Sequence, residues 1–197
     1  MKALYIVFFS LISFVLAAQQ APSVEENIPF LCTFSKDSEK SWGDDDNVQI
    51  IFFVVPSTEK RPVYIRLFDP NNGGKHDEAH GAFNSKTKFT VVGGIGAHSN
   101  PDSKKPDPAG NYRSGVQLGT KTFDSDAATD DSWFSMGPFN PVEGELQQDL
   151  GGYVFKIIIE GISGDDGNLY RLFLSADKES NKAVEGGNMF TYEYSFR

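Results

Sequence analysis

Residues 151–176, GGYVFKIIIEGISGDDGNLYRLFLSA, decide the fold class. Tyr153, Phe155, Ile157 and Ile159 alternate with Val154, Lys156, Ile158 and Glu160. On the return, Tyr170, Leu172 and Leu174 alternate with Leu169, Arg171 and Phe173. A period of two sustained over this length belongs to strands. Between the two runs lie Ser, Gly, Asp and Asn, the residues that turns select. The pair reads as a hairpin whose loop marks the end of the body where any chemistry would sit.

Working outward, the same pattern recurs. Residues 48–55 (VQIIFFVV) are nearly all apolar, which predicts a central strand buried on both faces. Residues 28–34, 63–68, 87–92, 116–123, 132–136 and 190–197 read as further strands, separated by Gly, Pro and Asn. Residues 140–150 are the one place for a helical turn, with Pro141 at its start. About nine strands, no internal repeat and no long helix-period segment predict an all-β fold, an antiparallel β-sandwich. A closed β-barrel is the alternative, because the same alternation would serve it.

At the N-terminus Lys2 precedes an apolar run over residues 3–18 that ends in small residues. These are the parts of a secretory signal peptide, with cleavage expected after Ala18. An uncleaved anchor is the other reading of the run. The expected organisation is a leader over 1–18, a polar tether over 19–27 and the sandwich over 28–197. The expected location is secreted, periplasmic or cell-surface, with no membrane span in the mature chain. Cys32 is the single cysteine, so no intrachain disulfide forms, and a buried apolar role on a strand is expected for it. A net charge of −9 argues against nucleic acid and anionic membranes, both of which need basic patches.

Strand parity locates the acid. Each strand of an antiparallel sandwich crosses the body once, so successive loops fall at opposite ends. Residues 36–47, 69–82, 124–131 and 161–168 are thereby predicted at one end, with a formal charge of about −11, against about −2 for the other set. Asp and Asn on turns, together with open backbone carbonyls, form the oxygen-rich environment Ca²⁺ requires. Asp165, Asp166 and Asn168 make one candidate set, and Asp69 with Asn71 another. Asp44, Asp45, Asp46, Asp124, Asp126, Asp130 and Asp131 are held in reserve. The bland alternative is that these residues only make Asx turns. Asp69-x-Asn71-x-Gly73-Gly74 is similar to the start of an EF-hand loop. It departs at the fifth position and carries His80 where that loop ends in Glu, so no role is carried over.

Trp42 and Trp133 sit beside acidic loops, and an indole next to Asp and Asn suits a sugar ring or a peptide. Core or loop-pinning roles are the alternative for both. His76 and His80 are spaced at i and i+4, but as H-D-E-A-H within Gly- and Asn-rich chain rather than as a helical zinc motif. His98 falls at the opposite end by parity. No catalytic constellation is present in the sequence.

The leader, IRLFDPNNGG over residues 65–74 and YVFKIIIEG over 153–161 resemble bacterial secreted accessory β-sandwich domains of the pre-peptidase C-terminal and C2-like kind. The resemblance implies a calcium-tolerant, non-catalytic module that binds or stabilises, and it transfers no site residue. The leading expectation is an exported, non-enzymatic module binding Ca²⁺ and presenting a glycan- or protein-binding surface. A structural or interaction protein of the cell envelope without an ion, and a metal-dependent hydrolase using the loop histidines, stand as alternatives.

Overall fold

A computed structural model describes residues 19–39, 47–105 and 112–192. The leader and Trp42 with Asp44, Asp45 and Asp46 lie outside the described residues. Eleven strands form among the described residues: β1 (Gln20–Ala21), β2 (Leu31–Phe34), β3 (Val48–Pro56), β4 (Val63–Phe68), β5 (Lys86–Gly93), β6 (Val116–Phe123), β7 (Trp133–Phe139), β8 (Glu145–Gln147), β9 (Gly152–Ser163), β10 (Gly167–Ser175) and β11 (Asn188–Phe190). They make two antiparallel sheets packed face to face, a β-sandwich and not a closed barrel. One sheet has the order β1-β10-β4-β7, with β2 also on β10; the other has the order β11-β3-β9-β5-β6, with β8 also on β9.

The hairpin expected at residues 151–176 is not formed. β9 pairs with β3 on one side and with β5 and β8 on the other, which leaves no free edge for β10. The chain turns at Gly164, whose φ of 93° suits glycine, and β10 enters the opposite sheet between β4 and the β1/β2 edge. The two runs are therefore joined across the core rather than side by side.

Alternation then explains the interior. Ile51, Phe53 and Val55 of β3, Phe155, Ile157 and Ile159 of β9, and Phe89 and Val91 of β5 face Ile65, Leu67, Tyr170, Leu172 and Leu174 across the sandwich. Phe53 and Phe155 stack at 5.0 Å with their planes 1° apart. The other parity of β3 and β9 is buried as well: Ile50, Phe52, Val54, Val154 and Ile158 pack under Ala97 and Tyr112 from the segment that follows β5. The VQIIFFVV run is apolar on both faces because both faces are covered.

Lys156 lies within this second cluster, fully buried, and its ammonium donates to the carbonyls of Tyr112 and Ser114. Burial lowers it to about 8. A depressed ammonium means that the unfolded chain holds the proton more tightly than the native one above pH 8. Stability is therefore expected to rise by about 2 kcal/mol between pH 8 and pH 10. Above that the trend reverses, because burial raises the Tyr112 phenol and the unfolded chain then ionises first. Urea titrations at stepped pH measure this, and Lys156→Met removes the rise.

The tether reading changes with the structure. Residues 19–27 are not a free tether: Gln20 and Ala21 pair with β10, and Gln19 is buried with its side-chain amide bonded to both the N–H and the C=O of Val184. Residues 140–150 hold the expected helical turn, a 3-10 turn over Pro141–Glu143 with Pro141 at its start, and β8 follows it. The final strand is described only over Asn188–Phe190, and residues 193–197 lie outside the described residues. Cys32 is buried on β2, as its sequence context predicts.

Candidate metal centre

The pairing directions bring the acidic loops to one end. β4 ends, β7 begins, β9 ends and β10 begins at the same edge of the body, since Phe68 pairs with Trp133 and Arg171, and Lys86 with Ser163. The loops after β2, β4, β6 and β9 therefore share an end, and hydrogen bonds tie them together. Asn72 N–H donates to the Asp124 carbonyl at 2.8 Å, and Asp131 N–H donates to Asp69 Oδ1 at 2.9 Å.

Asp69 sits at the centre of this arrangement. It follows β4 directly, and its backbone takes the left-handed conformation with φ 55°, as does that of Asp131 with φ 50°. Short polar side chains tolerate this region, and both aspartates are turned toward each other by it. Asp69 is fully buried, yet among the described residues its Oδ2 finds no hydrogen-bond partner. The same holds for both amide atoms of Asn71 and of Asn72, for Asp130 Oδ1 and for Asn168 Oδ1. Asn71, Asn72 and Asn168 are 1% exposed or less.

The residues carrying these atoms share the acidic end. Asn168 donates its amide to the Pro70 carbonyl at 2.9 Å and to Thr87 Oγ1 at 3.0 Å, which leaves its oxygen over. The Asp130 carboxylate lies against Gly74, where a Cβ would stand 2.2 Å from Asp130 Oδ1. Only glycine admits that approach, which accounts for the second Gly of DPNNGG. Asp77 accepts N–H bonds from Gly73 and Leu169 and so pins the loop to β10.

Burial is the first cause of the raised carboxyl pKa values here. Asp69 is pushed up to about 6 by desolvation, then by the carboxylates of Asp130 and Asp131. Asp77 is pushed up to about 8 by desolvation, with Asp69 and Asp130 adding repulsion. Buried oxygens without a donor and crowded carboxylates are each costly, and a hard cation with six to eight oxygen ligands relieves both; the side-chain NH2 groups of Asn71 and Asn72 are donors and gain nothing from it.

The candidates from sequence separate in space. Asp69, Asn71 and Asn168 come together. Asp165 and Asp166 turn the other way, toward residues 80–85. Asp166 is buried and accepts N–H bonds from His80, Asn84 and Ser85 at 2.7, 2.7 and 3.1 Å. Asp165 accepts from the Asn84 side chain at 2.8 Å and meets His80 Nδ1 at 3.2 Å, contacts that hold its carboxyl below the usual range. Asp130 comes forward from the reserve. Asn72 was missed: a run of two Asn before two Gly reads as a turn, and nothing in the sequence tells which amide points inward.

Trp133 is half-buried at the start of β7, with the Arg66 guanidinium 5.0 Å from its ring and Phe68 at 5.3 Å. The ladder continues through Arg171, which lies 4.2 Å from Phe68 and 5.1 Å from Phe30. The histidines do not converge. His76 pairs with Asp131 at 2.9 Å, His80 with Asp165, and His98 lies at the opposite end beside Glu145. No helix among the described residues is long and apolar enough to cross a membrane. Compared with family models, with curated proteins and with solved structures, the chain matches none.

Proposed function

We propose that this protein is an exported, non-catalytic β-sandwich module whose acidic end holds one Ca²⁺. Asp69, Asn71, Asn72, Asp130 and Asn168 supply the protein oxygens. The observation that carries the reading is the set of buried oxygens on these five residues that lack a partner among the described residues. Turns that served only as Asx turns would spend those oxygens on backbone N–H groups, as Asp166 does. The separation of the three histidines supports a binding role over a hydrolytic one. The surface offered to a glycan or protein ligand is the outer face of the β10-β4-β7 sheet beside Trp133, where Arg66, Phe68 and Arg171 alternate guanidinium and ring.

Equilibrium dialysis of chelator-stripped protein tests the ion. One Ca²⁺ per chain is expected, lost in Asn71→Ala and in Asp130→Ala and retained in Asp165→Ala. Absence of stoichiometric Ca²⁺, or equal binding by all the variants, overturns the reading.

A further inference from the structure

We propose that His76, Asp131 and Asp69 hold a second divalent ion, of the borderline transition-metal class to which Zn²⁺ and Co²⁺ belong, beside the calcium and sharing Asp69 with it. One ligand atom from each of the three residues lies within 4.8 Å of the other two. His76 Nε2 is 2.9 Å from Asp131 Oδ1. Two ligands bonded at about 2.0–2.1 Å in tetrahedral geometry stand roughly 3.4 Å apart, so an ion parts the His76–Asp131 pair by about half an ångström and draws Asp69 in from within the 4.8 Å limit. It replaces the proton shared between the imidazole and the carboxylate.

The ligands are already held. The Phe30 ring lies 4.7 Å from the imidazole of His76 and fixes its plane, and Lys75 braces the other oxygen of Asp131 at 3.1 Å. Asp69 N–H donates to the Ser132 carbonyl while Asp69 Oδ1 accepts from Asp131, so the two aspartate-bearing segments cannot part without breaking both bonds. A plain His–Asp pair would account for His76 and Asp131. It does not require the third ligand atom that Asp69 brings to within 4.8 Å of both, from a fully buried carboxylate whose Oδ2 has no hydrogen-bond partner among the described residues. A carboxylate oxygen carries two lone pairs, and Asp69 can bridge two cations through them.

The class of ion follows from the donor set. One imidazole with two carboxylates is too nitrogen-rich for Ca²⁺ or Mg²⁺ and lacks the thiolates that softer ions select. Three protein ligands on a side open to solvent, where the side chains of His76 and Asp131 are 26% and 38% exposed, leave a coordination position for water.

Co²⁺ is the probe, because its visible d–d absorption reports coordination directly. Titrating the chelator-stripped protein with Co²⁺ at fixed pH, with and without saturating Ca²⁺, is expected to give one bound Co²⁺ per chain. Its band should indicate four or five ligands. In His76→Gln the band is lost and Co²⁺ binding weakens by more than about tenfold, while one Ca²⁺ still binds. In Asn71→Ala the Ca²⁺ is lost and the band stays, so failure of the calcium reading is distinguishable from failure of this one. Absence of a band in the parent protein, or a band undiminished in His76→Gln, overturns the assignment.

Discussion

Saturating Ca²⁺ is expected to raise the thermal midpoint by about 5–10 °C, and excess chelator to abolish the gain. An ion present at a hundred times its dissociation constant adds about 2.7 kcal/mol to the native state. A domain of this size moves by roughly 2–4 °C per kcal/mol. Asn71→Ala removes the gain, since its amide oxygen has no other partner among the described residues. Asp165→Ala keeps it. The increment should also depend on pH. Without the ion, the carboxyls raised to about 6 at Asp69 and about 8 at Asp77 resist ionisation in the native state. The unfolded chain binds fewer protons between pH 4 and pH 8, so stability of the ion-free protein falls over that window. Calcium cancels the fall by compensating the ionised groups, and its increment is larger at pH 8 than at pH 5. Differential scanning calorimetry at the two pH values measures both effects. A midpoint indifferent to Ca²⁺ and chelator at either pH sinks the site.

Phe155→Ala is expected to cost about 3–5 kcal/mol, the usual range for emptying a buried aromatic position. Phe155 is fully buried on β9, stacked on Phe53 and within 6.3 Å of Phe139 from the opposite sheet. It therefore joins the two layers at their centre, and the strands around it are held in a ladder that cannot collapse into the void. The midpoint should fall by about 6–20 °C on the same scale. The calcium increment should survive, because the proposed calcium site lies at the far end of β9 from this ring. A loss of less than about 1 kcal/mol in urea titration would mean that the core closes around the gap, contrary to the rigid packing described.

The sandwich was legible in the sequence because alternation and turn residues are local signals. The doubly buried β3 was legible for the same reason. Partnership was not. The runs now seen as β9 and β10 are adjacent, apolar and joined by a tight turn, and every local feature favours a hairpin. What prevents it is the occupation of both edges of β9 by β3 and β5, strands whose pairing spans sequence gaps that no local pattern records. The acidic end was readable from parity, which depends only on counting strands. Within it, the SGDDGN loop stands out by charge, while the buried oxygens without a partner among the described residues come mostly from neutral amides at Asn71, Asn72 and Asn168. Charge marks where acid is dense; burial without a partner is set by tertiary packing, which no local pattern carries. Spacing alone groups His76 with His80, although its partner is Asp131, brought there by the β6–β7 connection.

The position of β9 has a consequence for how the chain is made. Its sheet closes around a strand that begins at residue 152, so β3 and β5 must wait for it with their edges open. During that interval VQIIFFVVP is an uncharged, strongly β-prone segment with nothing beside it, the kind of stretch that joins a neighbour's if one is near. Pairing across such long separations is slow, in the range of milliseconds to seconds. Yield on refolding should therefore fall steeply as protein concentration rises, and dilution during the first second of folding should recover it.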